Sequence, residues 1–221
     1  MTSYNAVKIV GDVVAKNFDH IVIKTQQPNL RQPDQPYEEL IPVTGSAKWL
    51  KKAKIGKRVL IMGSFCQIEQ DGKRRTVIQA DEAACNLAVS TDTPYFNLGK
   101  LVGRIAQKRI YPPDAGRQGW GYALLAVGEQ LFRATFFESM ALKFDRIIKR
   151  NAVMQMMGRI RNRKYDGGSM LEIVADEDMS RVIEMPNLVD PFLAYTPPGQ
   201  EPSGPSDENP STQTYEDEPA F

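Results

Sequence analysis

Apolar and polar residues alternate in short runs along most of this chain, and the runs come in the same order twice. Period-two alternation puts every second side chain on one face, which reads as a half-buried strand. Strands are predicted over residues 7–15 (VKIVGDVVA), 20–25 (HIVIKT), 38–43 (EELIPV), 58–68 (RVLIMGSFCQI) and 75–81 (RTVIQAD), with a proline-rich loop after the second. Residues 46–56 (SAKWLKKAKIG) instead show helical spacing between the third and fourth. From residue 99 the order recurs: GKLVGRIAQKRI, WGYALLAV, LFRATFF, a helix over 140–150 (MALKFDRIIKR), then AVMQMMGRIRNRKY, a DGG turn and MLEIVAD.

The two passes align residue by residue. At an offset of 92, Lys8, Val10, Gly11 and Lys16 match Lys100, Val102, Gly103 and Lys108. At an offset of 95, Met62, Gly63, Asp71, Gly72 and Ile78 match Met157, Gly158, Asp166, Gly167 and Ile173, and Trp49 meets Phe144. Trp49 and Phe144 read as core residues of their helices. Five strands with a helix between the third and fourth is the layout of an OB-fold barrel. The fold class is therefore read as all-β, two tandem OB-folds of five strands each. Gly11, Gly63, Gly103 and Gly158 lie inside strands, where glycine marks a bulge or a barrel bend.

Charge sharpens this division. Residues 1–92 carry 13 Lys/Arg against 10 Asp/Glu, residues 93–183 carry 15 against 9, and residues 184–221 carry none against 8. The last segment holds 8 of the 15 prolines from Pro186 onward, too little apolar surface to offset the entropy of ordering it. The expected organisation is one OB-fold over 1–92, a second over 93–185 and a disordered acidic tail over 186–221. That tail closes on Glu216, Asp217, Glu218, Pro219 and Phe221, an acidic cluster beside an aromatic, suited to a partner with a basic-rimmed pocket.

Several classes are disfavoured. One histidine, His20, argues against zinc catalysis or a His-based triad, and two cysteines, Cys66 and Cys85, make no disulfide framework or metal cluster. No apolar run is long enough to span a bilayer, and the first residues lack the layout of a signal peptide, so the expected location is the cytoplasm, associated with the nucleoid, in a cell or encoded by a plasmid or phage. Asp81-Glu82 and Asp176-Glu177 each close a strand and read as turn residues, not catalytic pairs. No cofactor, no metal and no membrane partner is expected, and no enzymatic activity.

The faces differ between the two units. In the second, Arg159, Arg161, Arg163 and Tyr165 share one side of their strand, opposite Met154, Met156, Gly158 and Ile160. Guanidinium groups about 7 Å apart ending in an aromatic suit a sugar-phosphate backbone with a stacking surface for one base. Arg133, Thr135 and Phe137 share a face, and Trp120 alternates with Tyr122. Lys108, Arg109 and Tyr111 are expected in the loop after the first strand, with Arg104 before them and Lys164 beside Arg163. Taken singly, Phe132, Phe136 and Tyr122 read as core. The first unit carries Ser64, Cys66 and Ile68 where the second carries Arg159, Arg161 and Arg163, and keeps mainly Lys73, Arg74 and Arg75 at its hairpin tip.

The stretch MALKFDRIIKRNAVMQMMGRIRNRKYDGGSMLEIVAD, with LVGRIAQKRIYPPDAG upstream, resembles bacterial-type single-stranded DNA-binding proteins over residues 97–183. The resemblance implies that Phe137 and Tyr165 stack bases and that Arg161 and Arg163 meet phosphates. Leu131 stands where the family has a further tryptophan, a role Trp120 could take over. In the first unit the stacking positions hold Pro42 and Gln70. The acidic end followed by Pro219-Ala220-Phe221 is similar to the family's partner-binding tip. Implied partners are single-stranded DNA, replication, recombination and repair proteins at the tail, and a second copy in a homodimer of four OB-folds. The uncharged arm bearing Phe65, Cys66 and Ile68 is a candidate for that subunit contact. Two alternatives stay open: an OB-fold replication-restart or recombination accessory protein acting through protein contacts, and an RNA-binding OB module.

Overall fold

Val7, Ile9 and Val13 are buried while Lys8 and Val14 are exposed, so the first alternating run forms a strand with one side in a core. The same logic builds the chain in the computed structural model, which describes residues 3–27, 34–70, 72–114, 118–147, 149, 151–165 and 168–184. The expected tail therefore lies outside the described residues.

The elements in order are β1 (Tyr4–Lys16), β2 (His20–Gln27), β3 (Tyr37–Thr44), α1 (Ala47–Lys52), β4 (Arg58–Gln70) and β5 (Lys73–Ala80). They are followed by β6 (Phe96–Tyr111), β7 (Trp120–Val127), β8 (Gln130–Phe137), α2 (Glu138–Ile147), β9 (Val153–Tyr165), β10 (Gly168–Ala175) and β11 (Arg181–Glu184). β1 pairs with β2, β2 with β3, β3 with β5 in parallel, β5 with β4, and β4 returns to β1. That closes a five-stranded barrel consistent with an OB-fold. β6, β7, β8, β10 and β9 pair in the same order, with β9 returning to β6.

The α1 N-terminus is capped by the Ser46 hydroxyl, which accepts from the Trp49 N–H, and Glu82 accepts from both the Ser46 N–H and its hydroxyl. Glu82 is thus a capping residue. Trp49 and Phe144 are buried, as the helical spacing implies.

β1 and β6 pair antiparallel from Tyr4↔Val102 to Val10↔Phe96, so the strands form one continuous sheet. Phe65 is buried against Phe132, ring centroids 5.9 Å apart. The arm expected to offer Phe65 to a second copy has therefore already spent it inside the chain, and burying such a ring stabilises by roughly 2–3 kcal/mol.

Two further expectations are revised. β6 continues to Tyr111, so Lys108, Arg109 and Tyr111 stand on a strand and not in a loop. The bulges fall at Val13/Ala15 and Ile105/Gln107, beyond the glycines. Gly63 and Gly158 allow close approach of the paired strand: a Cβ there would run into the carbonyl oxygen of Gln79 or Val174. β11, unforeseen, adds to the edge of β9.

Candidate nucleic-acid interface

The outward face of β6–β10 is set by strand parity. Gly121, Ala123 and Leu125 of β7 point inward, leaving Trp120, Tyr122 and Leu124 outward. Phe132, Ala134 and Phe136 of β8 are buried, so Arg133 and Phe137 turn to the same outer face. The bulge at Ile105/Gln107 shifts the parity of β6 and brings Arg109 and Tyr111 onto it, opposite Tyr122 and Trp120. Trp120 in turn stands opposite Phe137. One cross-strand row thus reads Tyr111, Trp120, Phe137.

The rings touch. Tyr111 and Trp120 stack at 4.2 Å and 16°, and Trp120 meets Tyr122 at 6.4 Å. The Arg109 guanidinium lies 5.1 Å from the Tyr111 ring centre, and Arg133 lies 3.8 Å from that of Tyr122. Arg161 of β9 covers Phe137 at 5.5 Å. Tyr122 is thus half-exposed under an arginine and not a core residue, whereas Phe132 and Phe136 are core. Phe137 ends β8 beside Glu138, whose φ of 53° turns the chain into α2 at a cost of about 1 kcal/mol.

Between β8 and β9 lies Glu172 of β10. It faces outward by parity yet is only 1% exposed, because two guanidinium groups cover it. Its carboxylate accepts from the Thr135 hydroxyl at 2.7 Å, Arg161 Nε at 2.8 Å and Arg161 Nη2. It also forms an ion pair with Arg133, whose Nε lies 3.0 Å away and donates to the Thr135 hydroxyl at 3.4 Å. Burial lowers the Arg133 guanidinium from its ordinary value, opposed by the Glu172 charge. Sequence reasoning passed over Glu172. The signal was available: a hairpin that pairs Tyr165 with Gly168 must pair Arg161 with Glu172.

The remaining candidates divide. Arg159 shares the outer side of β9 but reaches the first barrel, pairing with Glu39 at 2.9 Å over the Tyr37 ring. Burial lowers Arg159 and raises the Glu39 carboxyl, the latter opposed by the Asn162 backbone N–H and by Arg159. Arg163 is half-exposed, Lys164 and Tyr165 are exposed, and among the described residues neither Arg163 nor Arg109 has a carboxylate partner. Arg104 is exposed and donates to the Asn151 carbonyl at 3.3 Å, apart from the aromatic row. Arg74 and Arg75 are exposed at the start of β5, and the Lys73 side chain lies outside the described residues. Arg75 borders a cleft of about 270 Å³ that also takes in Pro42, Ile68, Asn162 and Ser169. The tail residues Glu216, Asp217, Glu218, Pro219 and Phe221 lie outside the described residues.

No family model and no curated protein sequence matches the chain. Solved structures do. A deletion variant of the single-stranded DNA binding protein from Thermus aquaticus superposes with a TM-score of 0.67 at 15% identity, over 90% of this chain and 99% of the other. The wild-type protein from Thermus aquaticus gives 0.67 at 12% identity, over 93% and 98%. No helix among the described residues is long and apolar enough to cross a membrane. The chain thus shares its fold with the single-stranded DNA binding protein of Thermus aquaticus.

Proposed function

We propose that the protein is a non-catalytic binder of single-stranded DNA, built as two OB-folds in tandem over residues 1–92 and 93–185. The observation that carries this reading is the row Tyr111, Trp120, Tyr122 and Arg133, continuous across three strands. Aromatic faces bind bases of any sequence, each stack contributing about 1–3 kcal/mol, and unpaired arginines beside them track phosphates. Trp120, Tyr122, Phe137 and Tyr165 are the stacking residues of this reading. Arg109, Arg163 and Lys164 are its phosphate contacts, with Lys108, Arg74 and Arg75 extending the basic rim.

The shared fold with a protein whose name states single-stranded DNA binding supports the same reading. The acidic tail would recruit replication, recombination or repair proteins, as its Glu216–Glu218 cluster and Phe221 suit a basic-rimmed pocket. A homodimer of four OB-folds would form through the face that β4, β1, β6 and β9 share, where Met62, Leu98 and Met157 are half-exposed.

Competition among a dT oligomer, duplex DNA and RNA of equal length tests the reading. The dT oligomer should win over duplex at least tenfold, because paired bases cannot present their faces to the rings. Duplex binding as tightly as dT would overturn it, and RNA binding more tightly would move the function to RNA.

A further inference from the structure

Glu172 is a buried acid in the middle of a face read as contacting a polyanion. A carboxylate there repels phosphate, and burying it costs free energy unless it is paired. All its acceptor capacity goes to Arg133, Arg161 and Thr135. Arg161 is thereby held by two donors over Phe137, and Arg133 by its Nε edge, between Glu172 and Thr135, over Tyr122. Two guanidinium charges and one carboxylate leave a single net positive charge for the three. Arg161 gives the carboxylate Nε–H and one Nη2–H and Arg133 sets only its Nε beside it, so the acid offsets half of their combined charge toward phosphate, while their flat faces remain stacking surfaces.

Resting on the nucleic-acid reading above, we propose that Glu172 is a positioning residue that turns Arg133 and Arg161 into stacking surfaces and leaves phosphate contact to Arg109 and Arg163. This reassigns Arg161, which the family resemblance places on phosphate. The row of planes then runs from Tyr111 through Trp120, Tyr122 and Arg133 to Arg161 and Phe137, with charge-neutralising contacts at its two ends. Arg163 fits the second role: it stands two residues beyond Arg161 on the same strand, opposite Met170 and not opposite an acid.

The full chain, a labelled dT oligomer and a salt series from 50 to 200 mM test this. A phosphate-contacting cation contributes about 0.7 to the slope of log affinity against log salt on a single strand. Glu172→Gln should free the two arginines and steepen that slope by about 0.7 for each one that reaches a phosphate. Arg133→Lys keeps the charge but loses the plane, so affinity should fall about fivefold or more with the slope unchanged. Arg163→Lys, which keeps a point charge at a phosphate, should stay within about twofold of wild type. An unchanged slope in Glu172→Gln, or Arg133→Lys binding as tightly as wild type, overturns the assignment. If Glu172→Gln loses its cooperative unfolding transition, Arg133→Lys against Arg163→Lys decides alone, and equal losses overturn it. Failure of the wild-type chain to bind the oligomer would overturn the nucleic-acid reading, and this assignment with it.

Discussion

Asn5 and Asn97, 92 positions apart, make the same contact in the two halves of the chain. The Asn5 amide donates to the Phe65 carbonyl at 2.7 Å and accepts from the Phe65 N–H at 2.9 Å. The Asn97 amide does so with Ile160, at 2.8 and 3.0 Å. Each side chain takes the place of a neighbouring strand where the long arm strands β4 and β9 leave the β1 and β6 ladders. The internal repeat thus survives at the level of single hydrogen bonds.

Asn97→Ala leaves a buried N–H and a buried carbonyl without partners, so it should destabilise by about 2–4 kcal/mol. Asn5→Ala, at a partly buried site, should cost about half as much. Urea unfolding midpoints measure both, provided the slope of the transition is unchanged. Equal and negligible shifts would show that water replaces the amide at both places.

Gly158→Ala places a methyl group against the Val174 carbonyl oxygen, a backbone atom that a rotamer change cannot move aside. The expected loss is about 1–3 kcal/mol, read from thermal unfolding. A variant as stable as wild type would show that β9 and β10 can separate locally at no cost.

Arg159→Ala strands the Glu39 carboxylate between β3 and β9, at an expected cost of about 2–4 kcal/mol at neutral pH. Burial raises the Glu39 carboxyl above its ordinary value. A raised carboxyl holds its proton more tightly folded than unfolded, so its contribution is fully present below the unfolded value and is lost as pH rises through the folded one. The penalty relative to wild type should therefore shrink between pH 7 and about pH 4.3. Adding Glu39→Gln to Arg159→Ala should restore most of the loss at pH 7. A pH-independent penalty would contradict the stranded charge.

Much of the fold was legible because alternation is a local property. Five strands and a helix per unit follow from period-two runs, from glycines and from Asp-Gly turns, and the structure returns them within a few residues. Errors gathered where a long-range partner decides. A bulge after Ile105 carries the alternation of β6 on to Tyr111, so residues that read as a loop stand on the sheet. Phe65 reads as an exposed arm residue until Phe132, from the other half, covers it. The arginine series on β9 reads as uniform, yet the structure gives Arg159 to Glu39, Arg161 to Glu172, and neither to Arg163. Glu39 lies 120 residues from Arg159, beyond the reach of any local pattern.

The central claim is that bases stack on the aromatic row of β6–β8, and Trp120 reports on it directly. The other tryptophan, Trp49, is buried in the first barrel's core and is spared from contact. Tryptophan emission of the wild-type chain, titrated with a dT oligomer while anisotropy of a labelled oligomer follows binding, separates the two events. The account predicts quenching that saturates with binding and disappears in Trp120→Phe. Saturated binding with unchanged Trp120 emission would place the strand elsewhere on the protein and contradict it.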